Sequence, residues 1–220
     1  MTAPRRSATP QARSAPRLYL VTPPLDDPAS MAKLAEAPDA ADVAAVLGRP
    51  LTGRGTSLIE QVRAIAPAVQ NRGVAFLIEG HPGDVESAGV DGAHLAGISA
   101  LDAALPALKP RYIVGCGGLH SRHDAMVAAE RGADYVMFGE PDRDGRRPAF
   151  AAVLDRVAWW AELFEVPCVG WAMTLDEVAA LAGVGADFVA VGDAVWVEPR
   201  GPAAAMATAA ARLRTSEPVP

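Results

Sequence analysis

Short, fully apolar runs return along this chain at near-regular intervals, each bounded by glycine or polar residues. Eight can be marked: Leu18 to Val21, Val43 to Leu47, Val74 to Ile78, Gly92 to Leu95, Tyr112 to Gly115, Tyr135 to Phe138, Pro167 to Gly170, and Phe188 to Val191. None alternates apolar with polar residues, so each reads as a strand buried on both faces, the condition of a parallel sheet covered by helices. Between the runs lie stretches with helical period. Ser57 to Gln70 places Leu58, Val62, Ile65, Ala66 and Val69 on one face, and Phe150, Val153, Leu154, Val157, Ala161 and Phe164 repeat that spacing. Thr174 with Glu177 three residues on forms a capping-box pattern that predicts a helix over Leu175 to Val184. A last helix is predicted over Pro202 to Leu213.

One phrase recurs within this alternation. Gly132-Ala133-Asp134-Tyr135-Val136-Met137-Phe138-Gly139 is matched 53 residues later by Gly185-Ala186-Asp187-Phe188-Val189-Ala190-Val191-Gly192, and Gly89-Val90-Asp91-Gly92-Ala93-His94-Leu95 is a looser copy. In each, a glycine stands where a helix would end in a left-handed cap, and a buried strand follows a short turn. Eight such strands predict an α/β fold, a TIM (β/α)8 barrel with an eight-stranded parallel sheet. An open doubly wound sheet is the weaker reading, because Val21-Thr22-Pro23-Pro24 lacks phosphate-binding glycines after the first strand.

Composition narrows the picture. With 220 residues, half of them hydrophobic, the chain is expected to form one barrel domain over residues 17–213, between a disordered basic tail (1–16) and a disordered C-terminal tail (214–220). Arg5, Arg6, Arg13 and Arg17 meet no acidic residue before the first strand; removing these four charges from the formal net of −6 leaves about −10 on the remainder, which argues against nucleic-acid binding. No apolar run approaches a membrane span, and a cytoplasmic location is expected. Cys116 and Cys168 sit in or beside apolar runs without a second thiol at ligand spacing, and both read as reduced core residues. Trp159 and Trp160 on a predicted helix read as packing or as the face of a homo-oligomer.

Chemistry in such a barrel sits at the carboxyl ends of the strands. Arg17-Leu18-Tyr19-Leu20-Val21-Thr22, Asp91-Gly92-Ala93-His94-Leu95, and the two Gly-Ala-Asp phrases resemble the thiamine-phosphate synthase and thiazole-tautomerase superfamily over about Arg17 to Leu213. The resemblance implies a transferase or isomerase of thiamine biosynthesis that takes a phosphorylated heterocycle as its small-molecule partner. It also implies Mg²⁺ held by two aspartates. Here Glu79-Gly80 stands for the family's Asn-Asp and Ala96-Gly97-Ile98-Ser99 for Gly-Gln-x-Asp, so Gly80 and Ser99 occupy the two metal positions, with Glu79 and Asp102 as nearby carboxylates that could rebuild a site. The loop matching Pro-x-x-Pro-Thr-x-x-Lys reads Glu140-Pro141-Asp142-Arg143-Asp144-Gly145-Arg146-Arg147.

Four residues at strand ends remain for proton chemistry: Glu79, His94, His120 and Glu140. The resemblance puts Glu140 where the tautomerase branch has its proton-moving histidine, and a glutamate in an apolar barrel mouth suits general acid or base work. His94 also reads as a satisfied core histidine, and Glu140 as the partner of Arg143 or Arg146. Arg49, Arg143, Arg146 and Arg147 are candidates for phosphate, as are the segments Gly170-Trp171-Ala172 and Gly192-Asp193 that match the family's backbone phosphate cradle. Trp171 could stack on a ring at the mouth or plug it. Two functions follow: a divergent thiamine-precursor-binding member with doubtful pyrophosphate displacement and tautomerase-like proton transfer, or a non-catalytic ligand-binding or regulatory barrel.

Overall fold

Each strand of this protein hydrogen-bonds to its successor in sequence, and the eighth returns to the first, so the parallel sheet closes into a barrel. The computed structural model describes residues 15–25, 42–49, 56–142 and 144–215. Arg143 and most of both expected tails therefore lie outside the described residues. The strands are β1 (Arg17–Pro24), β2 (Val43–Arg49), β3 (Ala75–Glu79), β4 (Gly92–Ala96), β5 (Ile113–Gly117), β6 (Tyr135–Phe138), β7 (Cys168–Ala172) and β8 (Phe188–Val191). Around them run α1 (Thr56–Gln70), α2 (Val85–Ala88), α3 (Ile98–Leu108), α4 (Arg122–Arg131), α5 (Phe150–Leu163), α6 (Glu177–Gly183), α7 (Asp193–Trp196) and α8 (Pro202–Arg214). No helix among the described residues is long and apolar enough to cross a membrane.

The absence of polar alternation has the expected cause: each strand faces two apolar cores. Leu18, Leu20, Val46, Phe76, Ile78 and Phe138 pack outward against the helices. Tyr19, Val21, Ala45, Leu47, Leu77, Tyr135, Met137, Val169, Trp171 and Ala190 fill the barrel interior. Helical faces supply the rest. Val62, Ile65, Ala66 and Val69 of α1 are buried, as are Val153, Val157 and Trp160 of α5. Trp160 belongs to that core, with its indole donating to the Val166 carbonyl at 2.7 Å. Cys116 and Cys168 are buried, and neither forms a disulfide.

Six strands outrun their apolar segments at the carboxyl end. The extensions are Thr22–Pro24, Gly48–Arg49, Glu79, Ala96, Cys116–Gly117 and Trp171–Ala172, residues at the rim where several side chains are polar or absent. A pattern search for apolar runs stops short there by construction. The helix expected from Leu175 also differs: α6 begins at Glu177 and its N-cap, Asp176, makes no side-chain cap bond. The Glu177 carboxylate instead accepts from the Met173 amide at 2.8 Å and pairs with Arg147. The ion pair with the nearly buried Arg147 takes the place of the local capping box.

The repeated Gly-x-Asp phrase builds the other end of the barrel. Gly89 and Gly132 close α2 and α4 in the left-handed conformation (φ 70° and 103°), and Gly185, just past α6, has φ 96°. The aspartates that follow reach back one strand. Asp91 accepts the Phe76 amide at 2.7 Å, Asp134 the Val114 amide at 2.7 Å, and Asp187 the Cys168 amide at 2.8 Å. Each thus satisfies a backbone donor at the start of an odd-numbered strand while its own residue opens the even-numbered one, which locks their relative register. Lys109 pairs with Asp134 at this end, far from the mouth.

Removing one clamp should leave a strand amide unpaired. We expect Asp187→Ala to cost about 1–3 kcal/mol of stability in urea unfolding, while Asp187→Asn, which keeps an acceptor oxygen, costs less than half as much. Equal losses in the two variants would show that the charge rather than the hydrogen bond matters.

Candidate functional site

At the carboxyl ends of the strands the inward-facing positions continue as Glu79 on β3, His94 on β4 and Gly117 on β5, with Glu140 two residues past β6. β3 carries Ala75 and Leu77 inward, so period two delivers Glu79 to the same side. Glu79 and His94 are register partners across β3 and β4. The interior has room for large groups only where a neighbour gives up its side chain. A Cβ added to Gly115 would lie 2.0 Å from the Tyr135 ring, and one added to Gly117 would lie 1.8 Å from the Glu140 carboxylate. The two glycines of β5 are the seats of those two residues.

Tyr19, Tyr135, His94 and Glu140 form one hydrogen-bonded chain. The Tyr19 and Tyr135 hydroxyls are 2.7 Å apart, Tyr135 Oη is 2.9 Å from His94 Nδ1, and His94 Nε2 is 2.8 Å from Glu140 Oε1. The second carboxylate oxygen accepts from the Gly118 amide at 2.8 Å. His94 is 2% exposed and stacks on Tyr135 with the rings 16° from parallel. Burial first, and then the Glu140 and Glu79 charges, hold the Tyr19 hydroxyl protonated far above its ordinary range, against the hydrogen bond it shares with Tyr135. Tyr135 is raised likewise, by burial and then by Tyr19 and Glu140. Burial and Glu140 push the Cys116 thiol up to about 12, so it stays an inert core group at neutral pH. Glu140 is thus the outer end of a buried polar chain and keeps 17% side-chain exposure.

The other predicted residues divide. His120 is exposed on the loop after β5; its carbonyl and that of Leu119 accept from Arg156, and its ring stands apart from the chain. Arg49 donates to the Thr22 carbonyl at 2.7 Å and to the Asp193 carboxylate at 2.9 Å. Those two candidates therefore neutralise each other, Arg49 at the end of β2 reaching past β1 to Asp193 after β8. Arg147 is nearly buried and holds Glu177 and the Trp171 carbonyl. Arg146 is exposed and pairs with Asp142 and Asp144 within its own loop. Gly170 turns outward, where a Cβ would meet Leu181 of α6 at 2.8 Å, and Ala172 also belongs to the helix-side core. Gly192 ends β8 beside Trp171, whose ring is 6% exposed and packs inside the barrel. Of the two readings of Trp171, the packing matches a plug.

The positions that the resemblance gives to magnesium do not supply its ligands. Gly80 has φ 69° with open space where a side chain would project, and Ser99 is an exposed residue of α3. Asp102 pairs with Arg131 on the helix layer. Among the described residues no three His, Cys, Asp or Glu side chains cluster as a metal site. Hard divalent cations need several converging oxygens, and the residues present do not fit one.

Sequence reading missed Tyr19 and Tyr135, because tyrosines inside apolar runs look like core. The one available signal was Gly115-Cys116-Gly117: glycines two apart on a strand vacate one face.

Comparison with known proteins agrees with this architecture. A profile of the family described as thiamine monophosphate synthase matches residues 18–195. The thiamine-phosphate synthase of Rhodospirillum centenum is 40% identical over 200 residues, covering 87% of this chain and 94% of that protein. That of Hyphomonas neptunium is 36% identical over 210 residues, covering 90% and 94%. The solved thiamine phosphate pyrophosphorylase of Pyrococcus furiosus shares the fold with a TM-score of 0.76 at 19% identity, covering 92% of this chain and 97% of that one.

The chain has measurable consequences. With Tyr19 raised, the folded state keeps a proton that the unfolded state loses above pH about 10, so its share of stability is complete below that value and falls as pH rises. Above pH 10 the slope of stability against pH, measured by urea unfolding, should be shallower in Tyr19→Phe by up to ~1.4 kcal/mol per pH unit. An unchanged slope would place Tyr19 in contact with solvent. Gly117→Ala should displace the Glu140 carboxylate, seen as altered His94 ring resonances in an otherwise folded spectrum. Unaltered His94 resonances in that variant would show that Gly117 is not the seat of Glu140.

Proposed function

Since this chain belongs to the thiamine monophosphate synthase family, we propose that it binds a thiazole phosphate or a related thiamine precursor at the barrel mouth and moves a proton on it. Glu140 is the base. The observation that carries this reading is a carboxylate at the end of β6, held from behind by His94 and from the side by the Gly118 amide, with part of its surface still at the mouth. A carboxylate oxygen has more than one acceptor site, so these bonds orient Glu140 without exhausting it. It takes a proton from one atom of the heterocycle and returns it to another. The reaction balances within a single molecule and needs no co-reactant.

Pyrophosphate displacement is the reaction that the relatives' names imply, and it has less support in these residues. A metal ion that neutralises a departing anion contributes several kcal/mol to such a step. Gly80 and Ser99 provide no carboxylate for it, and no lysine stands at a described strand end. We therefore expect synthase activity to be weak or absent. A second reading, a ligand-binding or regulatory barrel without catalysis, is favoured by Trp171, whose buried ring takes up mouth volume that two substrates would need.

Calorimetric titration with thiazole phosphate and with thiamine phosphate, followed by NMR of the thiazole protons in deuterated buffer, separates these readings. We expect binding of the thiazole phosphate and a proton exchange that Glu140→Gln slows by about 10²-fold or more. Binding with no exchange assigns the non-catalytic barrel. No binding of either compound, or growth of a synthase-deficient bacterium restored by this chain alone, overturns the proposal.

A further inference from the structure

The direction of the buried hydrogen bonds can be settled by counting donors. Tyr19 has one hydroxyl proton, and the partner the structure gives its oxygen is Tyr135. No buried side-chain nitrogen or oxygen among the described residues lacks a partner. If Tyr19 donates to Tyr135, then Tyr135 is free to donate to His94 Nδ1, which must be a bare acceptor. His94 Nε2 then carries the ring proton and donates it to Glu140 Oε1, which as a carboxylate can only accept. The opposite direction would have Nδ1 donate to Tyr135 and Tyr135 to Tyr19, leaving the buried Tyr19 proton with no acceptor. Such an orphan costs about 1–3 kcal/mol.

We infer that Tyr135 is a positioning residue of this site: by donating to Nδ1 it holds His94, together with the Glu140 carboxylate that accepts at Nε2, in the Nε2–H form, and His94 in that form aims Glu140 over the seat vacated by Gly117. The chain runs one way and ends at Tyr19, inside the apolar interior with Val21, Leu77 and Met137. It therefore orients Glu140 but offers no route for protons through the barrel. A proton taken up by Glu140 leaves through the mouth, to the bound molecule or to water there. Only that last consequence rests on the proton-transfer reading above; the arrangement of the chain stands without it.

The groups that face His94 from the surrounding elements are few. Tyr135 of β6 stacks on it, Glu140 follows β6, Glu79 is its neighbour on β3, and Gly115 is its partner on β5. Since Gly115 brings no side chain and Glu79 no donor when ionised, Tyr135 alone supplies a proton to Nδ1.

The test is long-range ¹H–¹⁵N NMR of the full chain labelled with ¹⁵N-histidine, which reads each ring nitrogen as proton-bearing or bare. His94 is assigned by its loss in His94→Asn. The expected result at neutral pH is one histidine of the four with Nε2 protonated and Nδ1 bare, and with no averaging between the forms. In Tyr19→Phe that signature persists, since the Tyr135 donor remains. In Tyr135→Phe the Nδ1 resonance moves toward that of a bare nitrogen with no hydrogen-bond donor, while Glu140 still holds the proton on Nε2. Because both variants lose a buried hydroxyl, a merely structural role would move stability alike in both and leave the signature in place. A wild-type His94 with Nδ1 protonated, or with both nitrogens protonated, overturns the inference, as does an unmoved signature in Tyr135→Phe. If Tyr135→Phe does not fold, the wild-type and Tyr19→Phe spectra still decide the direction of the chain. Failure of the thiazole titration leaves these spectra unchanged, so the two proposals fail separately.

Discussion

The cross-section of a closed eight-stranded barrel is fixed by its strand number and tilt, so its axis can hold only a limited volume of side chain. Every large group pointing inward must be matched by a neighbour that gives up its own. Here Tyr135 takes the place that Gly115 vacates, Glu140 the place of Gly117, and the Trp171 ring lies against Gly192. These pairings connect sequence to site directly. With alanine at Gly117 the carboxylate could not lie where His94 and the Gly118 amide receive it, and the buried chain would lose its outer end. The glycines are needed here for space rather than flexibility: neither Gly115 nor Gly117 is among the glycines with left-handed backbone.

The two ends of the barrel divide the work. At the amino ends, Asp91, Asp134 and Asp187 accept strand amides and tie β4, β6 and β8 each to the odd strand before it. Because strand period is two, a slip of one residue would turn every inward side chain outward. Those aspartates therefore protect the mouth from a distance. Asp91 thereby helps set Glu79 beside His94, and Asp134 helps set Gly115 beside Tyr135. The repeated phrase is thus a structural device, while the residues that differ between its copies, Tyr135 against Phe188 and Glu140 against Asp193, are where the copies part in chemistry.

Most of the fold could be read from hydrophobic pattern, because strands covered on both sides leave uninterrupted apolar runs and helices leave their own period. The resemblance added the mouth as the place to look, and Glu79, His94 and Glu140 do converge there. What could not be read was pairing across long sequence separation. Arg49 and Asp193 are 144 residues apart, and Tyr19 and Tyr135 are 116 apart. Nothing local announces either contact. The same blindness explains the capping box that does not form: Glu177 has a good local partner in sequence, and Arg147 reaches it from 30 residues away. It explains Trp171 as well, since one indole reads identically as a stacking surface or as a plug until its neighbours are known.

The charges at the mouth bear on the proposal that this site does not displace pyrophosphate. An anionic leaving group needs cations that are free to meet it. Arg49 is already bound to Asp193, Arg147 to Glu177 and Arg146 to Asp142 and Asp144. To recruit Arg49, a ligand phosphate would have to displace an exposed carboxylate, a modest cost because surface ion pairs contribute about 1 kcal/mol or less. To recruit Arg147 it would have to break a nearly buried pair and leave Glu177 uncompensated, which is far more costly. Among the described arginines, then, the one at the end of β2 is the more easily released and the one paired with Glu177 the less. That asymmetry is the physical ground for proposing a ligand with a single phosphate and a proton transfer at Glu140.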